Sequence, residues 1–338
     1  MVIDVKLGQN SYQIIIQKGA INHLADHFDL DRKILLISDD LIPNEYVLTV
    51  LSQLKNGFVF RFPHGEESKN LETYQKILST LKEHKFDRHD AVIALGGGLT
   101  SDIAGFAASS YMRGIDFYVI PTTLLAQVDA SVGGKVAVNF EGIKNLVGAF
   151  YQPKGVLIDI NTLQTLDKRL FNEGMAEVIK MAATSDKDLF HDLEKMEDVC
   201  SNLEYIIYHA LLIKKNVVEQ DEKEHDLRKV LNFGHTIGHA IEAKSNGELY
   251  HGECVAIGML YLTKGEAKNR IKGLLEKFDL STNNPYSVQD LRDYILLDKK
   301  NDGEQITVVE VNKIGTFDFN KLTHEELLKL MEEDQNEK

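Results

Sequence analysis

The sequence predicts a doubly wound α/β domain with a mostly parallel sheet, followed by an all-α domain in which one helix carries a polar face. Three observations predict it. Short continuous apolar runs, at 33–38, 91–95 and 156–160, alternate with helical segments up to about Asp159, the pattern of parallel strands buried on both faces. Helical periodicity then dominates from Asn161 onward. Within that second part Arg228, Asn232, His235, His239 and Glu242 recur at intervals of four, three, four and three, which is one face of a helix. The 338 residues, 43% hydrophobic and 27% charged, suffice for two domains with sizeable cores, and the boundary is expected between 1–160 and 161–338.

The N-terminal stretch alternates, so strands are expected at 2–6 and 12–17 around a turn at Gly8, Gln9 and Asn10. The buried strand at 33–38 ends in Asp39 and Asp40. A carboxylate there can meet a ribose hydroxyl or simply cap the following helix. A further strand is expected at 58–62, after which Gly65, Glu66, Glu67, Ser68 and Lys69 lead into a helix over 71–84. The strand at 91–95 runs directly into Gly96, Gly97 and Gly98, then into a small-residue helix that opens with Leu99, Thr100, Ser101 and Asp102. Glycines at such a turn let backbone N–H groups approach a pyrophosphate, and the helix N-terminus favours its charge. Serine at 101 breaks the dinucleotide fingerprint, so a tight structural turn stays open as the other reading. The strand at 118–120 ends in Pro121, Thr122 and Thr123, again with hydroxyls at a strand end. A Gly-rich apolar segment beyond it carries Asp129, Lys135, Lys144 and Asn145, which either serve a ligand or are solvated loop groups.

In the second domain, helices are expected at 173–183, 202–220, 227–243, 252–268, 288–297 and 324–332, with short strands at 305–311 and 316–319. A core-facing helix face should be apolar. A guanidinium, an amide, two imidazoles and a carboxylate on the face from Arg228 to Glu242 therefore call for a ligand, a metal or an ion network. His251 follows a turn at Ser245, Asn246 and Gly247 and begins the next helix. Two or three histidines with a carboxylate suit zinc or a similar divalent ion; a polar subunit contact is the alternative. Glu177 and Lys180, three apart on one helix, either join such a site or form an ordinary surface pair. Lys214, Arg228, Lys299 and Lys300 add cations that an anionic substrate would explain.

The net charge of −14 argues against a nucleic-acid surface. The two cysteines, Cys200 and Cys254, are too few for a disulfide framework and fit a reducing cytoplasm; Cys254, close to His251, reads as a buried thiol. No apolar run reaches membrane-spanning length, and the first residues lack the basic-then-apolar form of a signal peptide. A cytoplasmic protein without nucleic-acid or membrane partners is expected.

The segments GEESK, GGGLTSD, YMRG, PTTLLAQVDASVGGK, KNLVGAF, GMAEVIK, LRKVLNFGHTIGHAIE, HGE and DKKND together resemble the 3-dehydroquinate synthase family of sugar phosphate cyclases over nearly the whole chain. The resemblance implies a Rossmann-like N-terminal domain and a helical, metal-binding C-terminal one. It implies zinc, with cobalt able to substitute, on Glu177, His235 and His251. It implies NAD on Asp39, Glu66, Lys69, Gly96, Gly97, Gly98, Asp102, Thr122 and Thr123. Substrate phosphate and carboxylate contacts fall on Lys135, Asn145, Lys180, Lys214, Arg228, Asn232 and the pair Lys299 and Lys300. Asp129, Lys144 and His239 line the site, Lys144 on the cofactor side, and His239 is the candidate for proton transfer at the C5 oxygen. Arg113 matches an arginine supplied across a dimer interface, so a homodimer is implied. The implied reaction converts 3-deoxy-D-arabino-heptulosonate 7-phosphate to 3-dehydroquinate and phosphate, a step of the shikimate route to aromatic amino acids. It proceeds by transient oxidation at C5, β-elimination, re-reduction, ring opening and aldol closure.

The chain departs from the family pattern at Ser101, where glycine is usual, at Leu166 to Arg169, where Leu-Pro-x-Arg is more common, and at Lys215, where a small residue is usual. NAD affinity is the property that Ser101 bears on. A sister cyclase making 2-deoxy-scyllo-inosose or an epi-valiolone shares cofactor, metal and fold and is the alternative reading. A metal- and NAD-dependent polyol dehydrogenase, which would give net NADH and no phosphate, is a second. A non-catalytic nucleotide-binding relative is a third.

Overall fold

The computed structural model describes residues 1–297 and 305–336, and its contacts divide the chain into two compact units, Met1–Asp167 and Lys168–Lys338. Lys299 and Lys300 lie outside the described residues.

The first unit is a seven-stranded sheet with strand order β1-β2-β9-β6-β5-β3-β4. Strand β1 (Val2–Val5) pairs antiparallel with β2 (Tyr12–Ile16), and every other pairing is parallel. The remaining strands are β3 (Lys33–Asp39), β4 (Asn56–Phe62), β5 (Ala91–Gly96), β6 (Asp116–Pro121) and β9 (Gly155–Ile158). The continuous apolar runs are strands buried on both faces, as their composition requires: Ile34, Leu35, Leu36 and Ile37 of β3 are all fully buried. Helix α1 (Asn44–Leu51), with no counterpart in the expected elements, carries Val47 and Val50 into a core shared with Ile34, Leu36 and Ile93. Helix α2 (Leu71–Glu83) starts where Asn70 accepts the Thr73 N–H at 2.8 Å. Helix α3 (Gly98–Ser110) follows β5 directly.

The chain leaves β3 toward β4 on one side and leaves β5 toward β6 on the other. The carboxyl ends of these two adjacent strands therefore form a topological switch point, where doubly wound sheets bind ligands. A second element without an expected counterpart is the separate hairpin of β7 (Lys135–Phe140) and β8 (Ile143–Phe150).

The second unit is built from α4 (Lys168–Ser185), α5 (Lys187–Lys195), α6 (Leu203–Gln220), α7 (His235–Ser245), α8 (His251–Tyr261), α9 (Gly265–Lys277), α10 (Val288–Leu297) and a last described helix, His324–Asn336. A two-stranded antiparallel sheet joins β10 (Gln305–Glu310) to β11 (Asp318–Thr323), the second strand starting later than its expected position. No helix among the described residues is long and apolar enough to cross a membrane.

Two expected helices are corrected. Residues 227–243 are not one helix. A 3₁₀ turn, Leu227–Asn232, ends at Phe233, Gly234 takes a left-handed φ of 79°, and α7 begins at His235. Arg228 and Asn232 thus do not share a helix face with His235 and His239. The expected helix over 252–268 is likewise two, α8 and α9, with Gly265 at a left-handed φ of 59°.

The break at Gly234 has a tertiary cause. A Cβ on Gly258 of α8 would overlap the Gly234 carbonyl oxygen, and one on Gly234 would come within 2.7 Å of the Val255 carbonyl oxygen. The α7 and α8 backbones approach so closely that only glycine fits on either side. We expect Gly258→Ala to destabilise the fold by about 1–3 kcal/mol, because backbone cannot swing aside as a side chain can. Thermal unfolding checks this. A melting point equal to the parent's would show that the helices part without cost.

Candidate active site

In the first unit, Asp39 at the end of β3 and Gly96 at the end of β5 meet at the switch point. The Thr100 hydroxyl donates to Asp39 Oδ2 at 2.9 Å. A Cβ on Gly96 would lie 2.6 Å from Thr100 Oγ1 and 3.1 Å from Asp39 Oδ2, so the turn closes only with glycine there. Gly97 occupies the cap position of α3 and offers no side-chain bond to the first-turn N–H groups, which leaves that helix end suited to an anion. Ser101 is absorbed without distortion: its hydroxyl donates to the Gly98 carbonyl at 2.9 Å within the first turn. The Thr122 hydroxyl is buried with no hydrogen-bond partner among the described residues, whereas the Thr123 hydroxyl accepts the Ala126 N–H at 3.1 Å and starts the turn that carries Asp129. That turn, Ala126–Ala130, is π-helical, a rare form that often marks a functional site.

Lys69 is buried and donates to Asp102 Oδ2 at 2.6 Å and to Asn145 Oδ1 at 2.5 Å. Lys135, Lys144 and Asn145 sit on the exposed β7–β8 hairpin. Met112 and Arg113 both hold left-handed backbone, at φ of 50° and 71°, a conformation that costs energy for such residues.

In the second unit, the structure brings Glu177, His235 and His251 together. Glu177 on α4 is only 1% exposed, as is Lys180 one turn on. Their ion pair is therefore buried, and the reading as a surface pair is overturned. Among the described residues, neither Glu177 oxygen receives a hydrogen bond of ordinary geometry. Both imidazoles present Nε2 to it: His251 Nε2 lies 3.6 Å and His235 Nε2 3.8 Å from Oε1. Their other nitrogens are occupied. His235 Nδ1 faces the Phe233 carbonyl oxygen at 3.2 Å, and His251 Nδ1 faces Glu242 Oε2 at 2.9 Å. With Nδ1 held by a backbone carbonyl in His235 and by a carboxylate in His251, both rings are turned so that Nε2 faces Glu177, the kind of outer contact that orients metal ligands.

Ligand-to-ion distances of about 2.0–2.2 Å in a tetrahedral site place ligand atoms roughly 3.4 Å apart. The observed separations, 3.6 and 3.8 Å, fit one divalent ion. A second trio, His239, Glu242 and His251, is also close enough to hold an ion, but it would take the carboxylate that orients His251. His239 is exposed on α7, its ring centroid 5.2 Å from that of His235 and 5.8 Å from that of His251.

The charges fit this geometry. Burial opposes ionisation of Glu177, but the Lys180 ammonium and then the two histidines hold its carboxyl well below the usual range. Burial, aided by the Lys180 charge, pushes His235 well below the usual imidazole value. Burial opposes protonation of His251 too, yet the Glu177 and Glu242 carboxylates push it up to about 10.

Lys214 and Arg228 are buried as well, at 4% and 2% exposure. Arg228 stays on its 3₁₀ turn because Asp221 Oδ2 accepts its N–H at 2.9 Å and its guanidinium donates to the Glu222 carbonyl at 2.6 Å. Asn232 donates to Glu224 Oε1 at 3.1 Å. Partial burial opposes ionisation of Asp221, but N–H groups of Arg228, His225 and Asp226 hold its carboxyl down to about 2. Asp221 and the orienting role of Glu242 had no spacing signal of their own. Cys254 is fully buried and Cys200 exposed, and neither is among the grouped ligands.

The model of the 3-dehydroquinate synthase N-terminal family matches residues 59–173, and that of the 3-dehydroquinate synthase C-terminal family matches residues 174–301. The 3-dehydroquinate synthase of Streptococcus suis is 42% identical to the chain, over 98% of this chain and all of that one (100%). Among solved structures, a 2-deoxy-scyllo-inosose synthase complexed with carbaglucose-6-phosphate, NAD+ and Co2+ aligns with a TM-score of 0.90 at 25% identity, over 98% of this chain and 99% of that one. ValA, the 2-epi-5-epi-valiolone synthase of Streptomyces hygroscopicus with NAD+ and Zn2+ bound, aligns with a TM-score of 0.88 at 26% identity and the same coverage, 98% and 99%. With both halves matched and this identity along its length, the chain belongs to the 3-dehydroquinate synthase family.

Proposed function

We propose that Glu177, His235 and His251 hold a divalent ion, zinc or cobalt, and that the switch point of the first unit holds NAD through Asp39, Glu66, Lys69, the Gly96 to Gly98 turn, Asp102, Thr122, Thr123 and Lys144. The activity is that of the family: a carbon–oxygen lyase that forms 3-dehydroquinate in the shikimate route. The observation that carries the site assignment is the buried Glu177 carboxylate, paired with Lys180, with two Nε2 atoms turned toward it. NAD+ with Co2+ or Zn2+ in the two related cyclases supports it. The division of labour follows residues 1–160 for the dinucleotide and 161–338 for the metal and most cations.

When bound, the dinucleotide supplies reversible hydride acceptance at C5 and the ion supplies Lewis acidity toward the neighbouring hydroxyls. The chain's own residues do the rest. Lys180, Lys214 and Arg228, cations held away from water, neutralise the substrate's phosphate and carboxylate, where their charge acts more strongly than at a surface. Asn232 orients the same anions, as do Lys135 and Asn145. His239, exposed beside His235, moves the proton at the C5 oxygen, and Asp129 holds a ring hydroxyl. Lys299 and Lys300 are assigned to the substrate from the DKKND segment alone. We place the enzyme in the cytoplasm as a homodimer in which Arg113 serves the partner's site. The left-handed Met112 and Arg113, with Met112, Ile143, Leu146 and Phe150 all about half exposed, support that interface.

The test is phosphate release from 3-deoxy-D-arabino-heptulosonate 7-phosphate with catalytic NAD and zinc, read beside NADH absorbance. Stoichiometric phosphate with no net NADH is expected. Net NADH without phosphate would move the chain to the dehydrogenases. Neither signal, with NAD and metal bound, would point to a sister cyclase with another sugar phosphate.

A further inference from the structure

Asn139, on β7, stands at the centre of the contacts around Asn145. Asn145 holds a left-handed φ of 56° inside β8. Its backbone N–H donates to Asn139 Oδ1 at 2.8 Å. Its side-chain Oδ1 accepts from buried Lys69 Nζ at 2.5 Å. Asn139 in turn donates its Nδ2 to Glu66 Oε1 at 2.8 Å, and its backbone N–H to the Lys69 carbonyl at 2.8 Å. A parallel bridge between Asn70 and Asn139 joins the two backbones at the same place. The loop from Gly65 to Asn70 and the hairpin that carries Asn145 are thus tied together by Asn139 and by the direct bond from Lys69 to Asn145.

Two charged groups fix the polarity of this network. An ammonium only donates, so Asn145 turns Oδ1 to Lys69 and leaves Nδ2 as a donor for an incoming oxygen. A carboxylate only accepts, so Asn139 turns Nδ2 to Glu66 and Oδ1 to the Asn145 N–H. Either amide reversed would set donor against donor or acceptor against acceptor. The arrangement also accounts for the strained backbone of Asn145. The bond from its N–H to Asn139 and the bond from Lys69 to its side chain hold it where β-strand geometry would not.

We propose that Asn139 is a positioning residue: it holds Asn145 with its amide N–H groups aimed at an anionic oxygen of the sugar phosphate, and it ties that order to Glu66 and Lys69, so that dinucleotide and substrate binding are coupled. The inference rests on the assignment of Glu66 and Lys69 to the dinucleotide and of Asn145 to the substrate.

Two substitutions separate the two side-chain bonds. Asn139→Asp keeps an oxygen for the Asn145 N–H but sets a second carboxylate against Glu66. Asn139→Ala removes both bonds. NADH affinity is read by NADH fluorescence without substrate, in a chain that contains no tryptophan to interfere. KM and kcat for the sugar phosphate are read from phosphate release. Asn139→Asp should weaken NADH binding about 5–30-fold while the sugar-phosphate KM moves less than about threefold. Asn139→Ala should weaken NADH binding and raise the sugar-phosphate KM, each by about 5–30-fold, with kcat changed less than KM. Adding Glu66→Gln to Asn139→Asp should return NADH affinity to within about threefold of Glu66→Gln alone, since an amide can donate to the new carboxylate. A merely structural role would depress every parameter together and would not be rescued by a second substitution. The proposal is overturned if both single variants keep NADH affinity and KM within about twofold of the parent, or if Glu66→Gln restores nothing. Absence of phosphate release from the parent would instead refute the assigned reaction. The NADH titrations would still decide the role of Asn139.

Discussion

His235→Ala is expected to leave the protein without its divalent ion and to lower turnover by at least about 10³-fold, the loss of several kcal/mol of charge stabilisation. Three features make the effect large. The site offers one carboxylate and two imidazoles, so removing one ring leaves two ligands. The ring to be removed is the first residue of α7, fixed by the left-handed Gly234 before it and by the Phe233 carbonyl at its Nδ1. The carboxylate that remains, Glu177, is already paired with the buried Lys180, which weakens what is left of the site. NADH binding should persist, since every residue assigned to the dinucleotide lies in the other compact unit. Metal content after dialysis, with NADH fluorescence beside it, checks both halves. An unchanged metal content would refute the ligand assignment.

The same site gives a proton balance. In the metal-free protein Glu177 is held ionised, His235 neutral, and His251 protonated up to about 10. Only His251 has a proton to surrender. Zinc uptake at about pH 8 should therefore release about one proton. Affinity should climb as pH rises from the ordinary imidazole value toward about 10, where the competing proton is lost. Calorimetry in buffers of different ionisation heat reads the number directly.

The parallel sheet was legible because strands buried on both faces are continuous apolar runs, and β3, β5 and β9 could be placed from composition alone. The hairpin of β7 and β8 was not. Val136 and Val138 of β7 are buried in alternation, but Ile143, Leu146 and Phe150 of β8 are exposed and Gly148 interrupts that strand, so the second half carries no alternating apolar pattern. The cluster of Glu177, His235 and His251 was legible by residue type, but the backbone that builds it was not. The polar spacing runs on through Phe233 and Gly234, and the break there is imposed by Gly258, distant in sequence on another helix. Nor could spacing tell a surface pair from a buried one at Glu177 and Lys180. Their i,i+3 separation is the same in both cases, and only the packing around α4 decides it.

That burial makes Lys180→Met the second large effect. Lys180 is the strongest of the charges that keep Glu177 ionised against burial. Removing it leaves a buried carboxylate without that partner, which typically costs about 3–5 kcal/mol. The Glu177 carboxyl moves upward as well. With the ammonium gone, only the histidines oppose the effect of burial, so the metal-free variant holds its carboxylate with less compensating charge. A divalent ion between Glu177, His235 and His251 would supply the missing positive charge. Stability should therefore become metal-dependent. The metal-free variant is expected to melt roughly 6–20 °C below the metal-free parent. The metal-loaded variant should melt much closer to the loaded parent, while phosphate release is still lost because the cation proposed for the substrate is gone. Melting curves with zinc and with chelator, for parent and variant, separate the two roles of this lysine. Equal losses with and without metal would show that Lys180 balances some charge other than the one the ion sees. No loss in either state would show that the buried pair contributes nothing, and that Glu177 is kept ionised by the histidines alone.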